Sequence, residues 1–381
     1  MKILQTIAGF GAHSGGTSTC TYDLLAAMHS MGCDVDLVTV KIKDPTDKLM
    51  GQGEEWIKAL DNDCRTPYGW SPNMTRFLRA SDYDIYHTNG MWMHCNHETC
   101  AMARQKGKPY VITPHGMLYP QALARSTWKK KLLLNLGGVE KDLRHATCIH
   151  ATCHVEMKHY RALGYTNPVA IIPNPMPIPS FIDDIKSEKS IKRIGYLGRI
   201  HPYKNTEALI NAWITLGDEV KDAQLIIMGR GDNEYEAKMH QLVARHNLTN
   251  VEFAGFVNGR EKFERLASLT ALCVPSITEN FGMTVTEALS VGTPVIASLG
   301  TPWQELNTKH CGWWVANDVN TLASTISQAL SLPQDEIEKM GNNGKRLVND
   351  KYRDTQVAAK MKQLYGWILK GGVRPDFVHV V

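Results

Sequence analysis

The sequence predicts an α/β protein of two domains, each a doubly wound parallel sheet with helices on both faces. The chain has 381 residues, which is too long for one ordinary core and suits two domains of similar size. Short apolar runs alternate with helical patterns along both halves, as parallel sheets require. Four prolines within residues 173–179 form a stiff segment between the halves. We therefore place the domains at 1–180 and 181–359.

The first domain opens with a strand–helix–strand unit around a glycine-rich loop. Its predicted strands are residues 2–7, 34–40, 84–89, 108–113, 146–152 and 169–172, and none is expected within 45–80. The loop carries Gly9 and Gly11 of a dinucleotide fingerprint, but Ser14 stands where the third glycine belongs. A nicotinamide-dependent oxidoreductase is therefore disfavoured. His115 follows a strand at its carboxyl end, where open parallel sheets bind ligands.

The second domain repeats the alternation of strands and helices. Its predicted strands are residues 194–199, 224–229, 251–255, 272–274, 294–297 and 312–315. Predicted helices cover 206–216, 234–246, 319–331 and 354–369. The spacing indicates a second parallel sheet.

Composition excludes several classes of protein. A net charge of +4 is too small to indicate a nucleic-acid partner. The nine cysteines are odd in number and scattered, and the first residues lead straight into a strand without a secretory signal. We therefore expect reduced thiols in a cytoplasmic protein. No run of about 18 apolar residues is present, so no membrane span is expected.

One segment has a composition that favours a membrane surface. Trp128, Lys129, Lys130 and Lys131 precede three leucines, so aromatic, basic and aliphatic side chains are interleaved. A helix of this kind can lie on an anionic membrane at the cytoplasmic face. A solvated basic helix edge is the alternative interpretation, and seven residues do not decide between them.

Candidate metal ligands are poorly placed in the sequence. Three Asp-x-Asp pairs begin at Asp34, Asp61 and Asp82, and two of them lie at strand starts, opposite the edge where ligands bind. The His/Cys-rich segments at 94–100 and 145–154 do not have the spacing of a structural zinc site. We expect no metal and no resident cofactor.

The stretch 275–289 has the strongest chemical signal. It leaves a buried strand, turns at Gly282 and enters a helical pattern, with Glu279 before the turn and Glu287 within the helix. The first amides of a helix have no intrahelical partners and bind anions. Carboxylates beside them repel phosphate but accept hydrogen bonds from sugar hydroxyls. The stretch therefore suits a ligand with phosphates and hydroxyl-rich rings, although a plain strand–loop–helix connection has the same spacing.

A basic loop follows the first strand of the second domain. Arg199 and Lys204 lie five residues apart at the carboxyl end of that strand. A guanidinium can bind two phosphoryl oxygens and an ammonium adds a mobile point charge. Together they would neutralise a diphosphate.

Taken in order, these residues resemble the retaining glycosyltransferases of the family 4 type. Glu279 and Glu287 resemble the ends of that family's E-x7-E element, and Gly198-Arg199 with Lys204 resembles its basic loop. Gly15-Gly16, His115-Gly116 and Asn174 occur in the family's order as well. The resemblance implies the GT-B fold, in which two Rossmann-like domains face a cleft and the last residues, here 360–381, cross back to the first domain.

The resemblance also implies roles for single residues. Arg199 and Lys204 would bind the donor diphosphate, and His115 would contact the sugar near its anomeric centre. Glu279 would bind the sugar and Glu287 the ribose. Backbone amides would complete the phosphate site, and the base would lie against a glycine and two apolar residues: Gly16, Asn280, Phe281, Gly282 and Met283 for phosphate, and Gly229, Phe256 and Val257 for the base.

The implied activity is retaining transfer of a sugar from a nucleoside-diphosphate sugar, UDP-sugar favoured and GDP-sugar possible. Residues 301–306 and 311–315 resemble bacterial surface-polysaccharide enzymes of the family, which implies a glycan or lipid-linked acceptor at the inner membrane. A soluble acceptor and a nucleotide-sugar epimerase remain alternatives. Glu156 occupies a place where the family more often has a Ser-Glu pair, and it receives no role.

Overall fold

A computed structural model describes residues 1–12, 14–44, 46–124, 138–185, 191–231 and 233–381. The segment Trp128–Lys131, predicted to contact a membrane, lies outside the described residues. Contacts divide the chain into two compact units. The first contains Met1–Pro177 and Asp354–Val381, and the second contains Ile178–Arg353.

The first unit contains an eight-stranded sheet. Its strands are β1 Lys2–Ile7, β2 Asp34–Val40, β3 Ile57–Leu60, β4 Ile85–Asn89, β5 Tyr110–Thr113, β6 Cys148–Ala151, β7 Val169–Ile171 and β14 Val378–His379. The spatial order is β14-β7-β6-β5-β4-β1-β2-β3. All neighbours pair in parallel except β14, which runs antiparallel to β7 at the edge. The doubly wound prediction is therefore confirmed for this half.

Helices cover both faces of this sheet. They are α1 Gly16–Ser30, α2 Pro72–Ala80, α3 His94–Gln105, α4 Pro120–Ala124, α5 Val139–His145, α6 His154–Ala162 and α14 Asp354–Lys370. Helices α1 and α14 pack on one face, around Ile3, Ile85, Leu25 and Met361, all of which are fully buried. The apolar side of each helix and the near-continuous apolar strands explain why both elements form.

Strand β3 contradicts the expectation that 45–80 contains no strand. Its sequence, Ile-Lys-Ala-Leu, has only one β-branched residue and is too short to show a clear alternation. It forms because β2 offers an open edge, where Leu37 pairs with Ile57 and Val40 with Leu60. Pairing at an edge is a tertiary effect that a local pattern does not record.

The second unit contains a six-stranded parallel sheet. Its strands are β8 Lys192–Leu197, β9 Ala223–Met228, β10 Val251–Gly255, β11 Ala271–Val274, β12 Val295–Ser298 and β13 Gly312–Val315, in the order β10-β9-β8-β11-β12-β13. Its helices are α7 Thr206–Leu216, α8 Asn233–Arg245, α9 Gly259–Ala267, α10 Met283–Ser290, α11 Glu305–Thr308, α12 Val319–Ser331 and α13 Gln334–Leu347. All six predicted strands are present.

The chain changes units near the predicted positions, not at them. The predicted divisions follow residues 180 and 359, whereas the observed divisions follow Pro177 and Arg353. The backbone amide of Asp354 donates to the carbonyl of Met176, 3.2 Å away. Helix α14 is therefore attached to the first unit from its first residue. Among the described helices, none is both long and apolar enough to cross a lipid bilayer.

Candidate functional site

Glycine backbones bring three strand ends of the second unit together. Gly229 has φ 143°, and a Cβ atom there would lie 1.8 Å from the carbonyl oxygen of Gly198. The amide of Gly229 donates to the carbonyl of Gly255 over 2.6 Å. The carboxyl ends of β8, β9 and β10 thus meet backbone to backbone, and only glycine fits at the crossing. Gly229, predicted to face a nucleotide base, is buried at this crossing.

Lys204 and Glu279 form an ion pair beside these strand ends. Lys204 ends a short 3₁₀ turn after β8, and its ammonium contacts Oε1 of Glu279. The hydroxyl of Ser276, which is fully buried, donates to the same oxygen at 2.9 Å. The amide of Ile277 donates to the carbonyl of Tyr203 over 2.8 Å and ties the two loops together. Two residues predicted to bind different parts of a ligand are therefore in direct contact.

Arg199 is the second cation of the loop that carries Lys204. Its side chain is exposed, and no carboxylate within the described ranges pairs with it. Its carbonyl accepts a hydrogen bond from the buried Tyr196 hydroxyl at 2.6 Å, which fixes the backbone beneath the guanidinium. An exposed guanidinium above a rigid loop is suited to two phosphoryl oxygens.

The predicted anion site at the start of α10 has the expected backbone. Gly282 precedes the helix with φ 83°, and the first turn contains no acidic residue. Phe281 is buried against the Trp303 ring, and its carbonyl accepts from the indole Nε1 at 2.5 Å. Phe281 therefore offers backbone, not its ring, to a ligand. The partly buried Asn280 and Met283 flank these groups.

Glu287 lies on α10 and pairs with a residue that sequence reasoning missed. The Nζ atom of Lys262, on α9, lies 2.6 Å from Oε1 of Glu287, and both side chains are mostly buried. The lysine holds the carboxylate in one orientation. Lys262 sits among Glu261 and Glu264, a charge pattern typical of a solvated helix face, so its sequence context gave no signal.

The two residues predicted to line a base differ in exposure. Phe256 is 69% exposed, so its ring is available for stacking, whereas Val257 is only 4% exposed. Of this pair, only Phe256 offers its side chain to a ligand.

His115 lies in a strained loop of the first unit. Its φ is 51°, in the left-handed region that few side chains adopt. Its Nε2 lies 3.1 Å from Oδ1 of Asn89, at the end of β4. Burial and the neighbouring His150 lower the pKa of His115 to about 3, so the imidazole is neutral at pH 7.

Glu156 holds this loop, a role the sequence did not suggest. Its carboxylate is buried and accepts the amide of Gly116 at 2.5 Å, the amide of Thr152 at 2.8 Å and the Thr152 hydroxyl at 3.0 Å. Burial raises the pKa of Glu156, while these donors act in the opposite direction. Three donors converging on one buried carboxylate fix the residue after His115. The family resemblance pointed to this position without indicating its task.

Gly16 begins α1, as the anion-site prediction requires. Gly15 precedes it with φ 85°, and the first turn has no acidic residue. A Cβ at either glycine would meet no atom of the described residues within 4 Å, so among these residues the glycines leave open space before the helix. The backbone is therefore accessible to a ligand.

The Asp-x-Asp pairs take part in surface contacts. Asp61 pairs with Lys41 at 2.7 Å, Asp36 with Lys58 at 3.0 Å, and Asp84 accepts from the Lys2 amide at 2.8 Å. Across the part of the chain that the structure describes, no three His, Cys, Asp or Glu side chains are grouped as metal ligands.

Two known protein families match this sequence. Residues 15–175 match the Glycosyl transferase 4-like domain, and residues 179–347 match the Glycosyl transferases group 1 family. An uncharacterised glycosyltransferase of Methanocaldococcus jannaschii is 32% identical over 178 residues, 46% of this chain and 44% of that protein. The phosphatidylinositol N-acetylglucosaminyltransferase gpi3 subunit of Schizosaccharomyces pombe is 23% identical over 303 residues, 79% of this chain and 62% of that subunit. The chain thus matches about half to two thirds of these relatives' lengths.

Solved structures share the fold over nearly the whole chain. The sucrose-phosphate synthase of Thermosynechococcus elongatus superposes with a TM-score of 0.76 at 22% identity, covering 97% of this chain and 100% of that one. The Anabaena protein HepE, solved with UDP-glucose, superposes with a TM-score of 0.74 at 18% identity, covering 96% and 99%.

Proposed function

Because this chain belongs to the family 4 type of glycosyltransferases, which have the GT-B fold, we propose that it transfers a sugar from a nucleoside-diphosphate sugar to a hydroxyl of a lipid-linked glycan, with retention of anomeric configuration. A UDP-sugar is the favoured donor, and a GDP-sugar is possible. The product belongs to surface polysaccharide biosynthesis. The observation that carries this proposal is the Lys204–Glu279 ion pair at the carboxyl edge of the second sheet.

In this proposal, the Lys204–Glu279 pair places a cation for phosphate next to a carboxylate for sugar hydroxyls. In the proposed complex, the Lys204 ammonium keeps its contact with Glu279 and adds one to a phosphoryl oxygen, because an ammonium has three donors. Arg199 binds the outer phosphate oxygens, and the amides at the start of α10 contribute further donors. Glu279 is left with its second oxygen for a sugar hydroxyl. Glu287, oriented by Lys262, accepts from the ribose hydroxyls, and Phe256 stacks on the base.

Departure of the diphosphate is the electrostatic problem of the reaction. Preorganised cations and helix amides stabilise the charge that develops on the leaving oxygen. Glu279 is held through Oε1 by an ammonium and a hydroxyl, an arrangement suited to hydrogen bonding and poor for nucleophilic attack. We therefore favour attack of the acceptor hydroxyl on the face from which the diphosphate leaves. A glycosyl adduct trapped on any side chain would contradict this mechanism.

Relatives support a lipid-linked acceptor only by analogy, since the gpi3 subunit is named for a phosphatidylinositol substrate. The sucrose-phosphate synthase neighbour makes a soluble acceptor the second candidate. Binding to anionic vesicles that is lost when Lys129, Lys130 and Lys131 are replaced by glutamine would favour the lipid-linked acceptor. No binding at low salt would favour the soluble one.

A ligand panel tests the donor assignment. The protein is melted with UDP, GDP, ADP and their sugars, and the true nucleotide at 100 times its dissociation constant should stabilise by about 2.7 kcal/mol. Stabilisation by none of them would contradict the proposal. Incubation with the stabilising sugar nucleotide and no acceptor tests the epimerase alternative, because an epimerase would release the epimerised nucleotide sugar.

A further inference from the structure

A row of buried polar side chains crosses one face of the first sheet. Each follows, two residues later, an apolar residue on the same strand: Gln5 after Ile3, His87 after Ile85, Thr113 after Val111 and His150 after Cys148. Helix α14 covers this face and adds Tyr365, also fully buried. Burying so many polar groups is costly unless all are hydrogen-bonded.

The row is linked by hydrogen bonds from Ile172, just after β7, to α14. Nε2 of His150 lies 2.8 Å from the carbonyl oxygen of Ile172, and its Nδ1 lies 2.8 Å from Oγ1 of Thr113. Oγ1 of Thr113 lies 2.6 Å from Nε2 of His87. Nδ1 of His87 lies 2.6 Å from the hydroxyl of Tyr365.

The same chain of hydrogen bonds continues to His115. Nε2 of Gln5 donates to the Tyr365 hydroxyl at 3.0 Å, and Nδ2 of Asn89 donates to Oε1 of Gln5 at 2.8 Å. Oδ1 of the same Asn89 amide lies 3.1 Å from Nε2 of His115. Within the described residues, Nδ1 of His115 has no hydrogen-bond partner.

One end of this chain dictates the direction of every bond. The Ile172 carbonyl can only accept, so His150 carries its proton on Nε2 and accepts at Nδ1 from the Thr113 hydroxyl. Thr113 must then accept from Nε2 of His87, and His87 accepts at Nδ1 from Tyr365. Each ring carries a single proton, because burial lowers the pKa of His87 well below its usual range and that of His150 to about 4.

The direction carries through to the loop. The Tyr365 oxygen accepts from the Gln5 amide nitrogen, and the Gln5 oxygen accepts from the Asn89 nitrogen, which is the amide orientation observed. The Asn89 oxygen therefore faces His115 and requires a proton on Nε2 of that ring.

We propose that this hydrogen-bond chain is a positioning device that fixes His115 as the Nε2–H tautomer and presents its unprotonated Nδ1 as an acceptor for a substrate hydroxyl. The inference rests on the proposed function in one respect, that the ligand of His115 is a sugar substrate with hydroxyl groups. Tyr365, His87, Thr113 and His150 are positioning residues, since none of them touches the ligand in this scheme. Through Tyr365, helix α14 thus takes part in the hydrogen-bond chain that sets the tautomer of His115.

The hydrogen bond from His150 to the Ile172 carbonyl sets the direction, because reversing every donor and acceptor would keep nearly all the other contacts. With every donor and acceptor exchanged, only His150 and the Ile172 carbonyl would oppose two acceptors. Asn89 Nδ2 has a second contact with the Thr6 carbonyl, but at 3.5 Å it is at the limit of hydrogen bonding. Separating His87 from His150 should therefore allow both directions, and with them both tautomers of His115.

The test is Thr113→Val compared with Thr113→Ser in the full chain. Valine matches the shape of threonine and lacks the hydroxyl, whereas serine keeps it. Tautomers are read from ¹⁵N-histidine NMR, with His115 assigned by the signals lost in His115→Gln. We expect one Nε2–H signal set in the wild type and Thr113→Ser, and a second set in Thr113→Val. The kcat of Thr113→Val should fall at least in proportion to the population of the second His115 tautomer, with KM less affected.

A second pair of variants tests the inference even if Thr113→Val does not fold. Tyr365→Phe breaks the chain at α14 and should also give two His115 signal sets. Tyr86→Phe removes a hydroxyl from another fully buried tyrosine of this unit, bonded to Ser81 and not to the chain, and should leave His115 as in the wild type. A single unchanged tautomer in both Thr113→Val and Tyr365→Phe would overturn the inference.

The outcomes separate this inference from the proposed function. If His115→Gln keeps full transferase activity while Thr113→Val still produces the second tautomer, the positioning of the ring stands and its role toward the sugar fails. If His115→Gln is inactive and the tautomer never changes, the positioning device fails and the proposed function remains.

Discussion

The Lys204 side chain is placed to contact two parts of the proposed ligand. Its ammonium is ion-paired with Glu279 and lies beside the loop of Arg199, so it stands where the proposed diphosphate and sugar join. Removing it would leave the mostly buried Glu279 carboxylate without its counter-charge, which adds repulsion toward phosphate to the lost contact.

We predict that Lys204→Ala abolishes transfer and weakens nucleotide binding by about 1.5–3 kcal/mol, the scale of a charge-assisted contact. Titration calorimetry with the nucleotide found in the ligand panel measures the loss. Lys238→Ala is the matched control, because Lys238 also pairs with a glutamate, Glu207 at 2.9 Å, but on an exposed helix surface. Unchanged turnover in Lys204→Ala would refute the site assignment.

Glu279→Ala should also abolish transfer, because the proposed sugar contact is lost while the fold is kept. Thermal melting checks the fold, and a radiolabelled-sugar transfer assay checks activity. Nucleotide binding should survive in this variant, since Glu279 is assigned to the sugar. Activity above a few per cent of wild type would remove Glu279 from the catalytic residues.

Glu156 gives a prediction for the loop of His115. In Glu156→Gln, one amide oxygen can accept, but the amide NH₂ group faces donors that previously met the carboxylate. We expect a loss of about 1–3 kcal/mol in the free energy of unfolding, with a lower kcat. Urea denaturation measures the first. Glu140→Gln, at an exposed pair with Arg144, should change stability by less than about 0.5 kcal/mol.

At the scale of elements, the close approach of Gly198 and Gly229 after β8 and β9 shapes the carboxyl edge of the second sheet, where the ligand is proposed to bind. The backbones of Gly198 and Gly229 approach so closely that a methyl group must displace one loop. Flexible side chains could yield, but backbone at a sheet edge cannot yield without breaking strand pairing.

Gly229→Ala should therefore destabilise the second unit by at least about 2 kcal/mol and weaken nucleotide binding. Differential scanning calorimetry with and without nucleotide measures both effects. Gly366→Ala is the contrast, since the site is inside a helix and a Cβ there meets no atom within 4 Å in the part of the chain that the structure describes. That variant should be neutral or more stable by up to about 1 kcal/mol. Equal behaviour of the two variants would contradict the crossing argument.

Most of the strands could be predicted because they are buried apolar runs followed by glycine, proline or polar residues. Strand β3 was missed because its edge pairing with β2, not its own sequence, makes it a strand. Among site residues, Glu279, Glu287 and Lys204 followed from position after a strand. Lys262 and Glu156 did not, since each acts through a partner distant in sequence.

At the scale of the whole molecule, the first unit should be sensitive to acid. His87, His115 and His150 have pKa values lowered mainly by burial, and no carboxylate contacts any of the three rings within the described ranges. Unfolding exposes each ring and lets it bind a proton below about pH 6.5. The unfolded chain then holds more protons than the native one, so stability falls as the pH falls.

Each ring that stays neutral should contribute a slope of about 1.4 kcal/mol per pH unit between pH 6.5 and the native pKa. Urea denaturation at pH 7, 6 and 5 measures it. His150→Gln should reduce the slope by about 1.4 kcal/mol per pH unit, because it removes one ring that stays neutral in the native state. His145→Gln, at an exposed position, should not change it. A flat pH profile in the wild type would contradict the prediction.

The sequence alone determined the two parallel sheets, the proline-rich boundary and the residues at the carboxyl strand ends, because these follow from local hydrophobicity and strand order. Tertiary structure alone decided which charges pair, which predicted side chains are buried, and how His115 is held. Those properties depend on contacts between residues far apart in the chain, such as His87 with Tyr365 and Lys204 with Glu279. Hydrogen-bond direction in a buried network is a property of the whole set of partners, so no single segment of sequence records it.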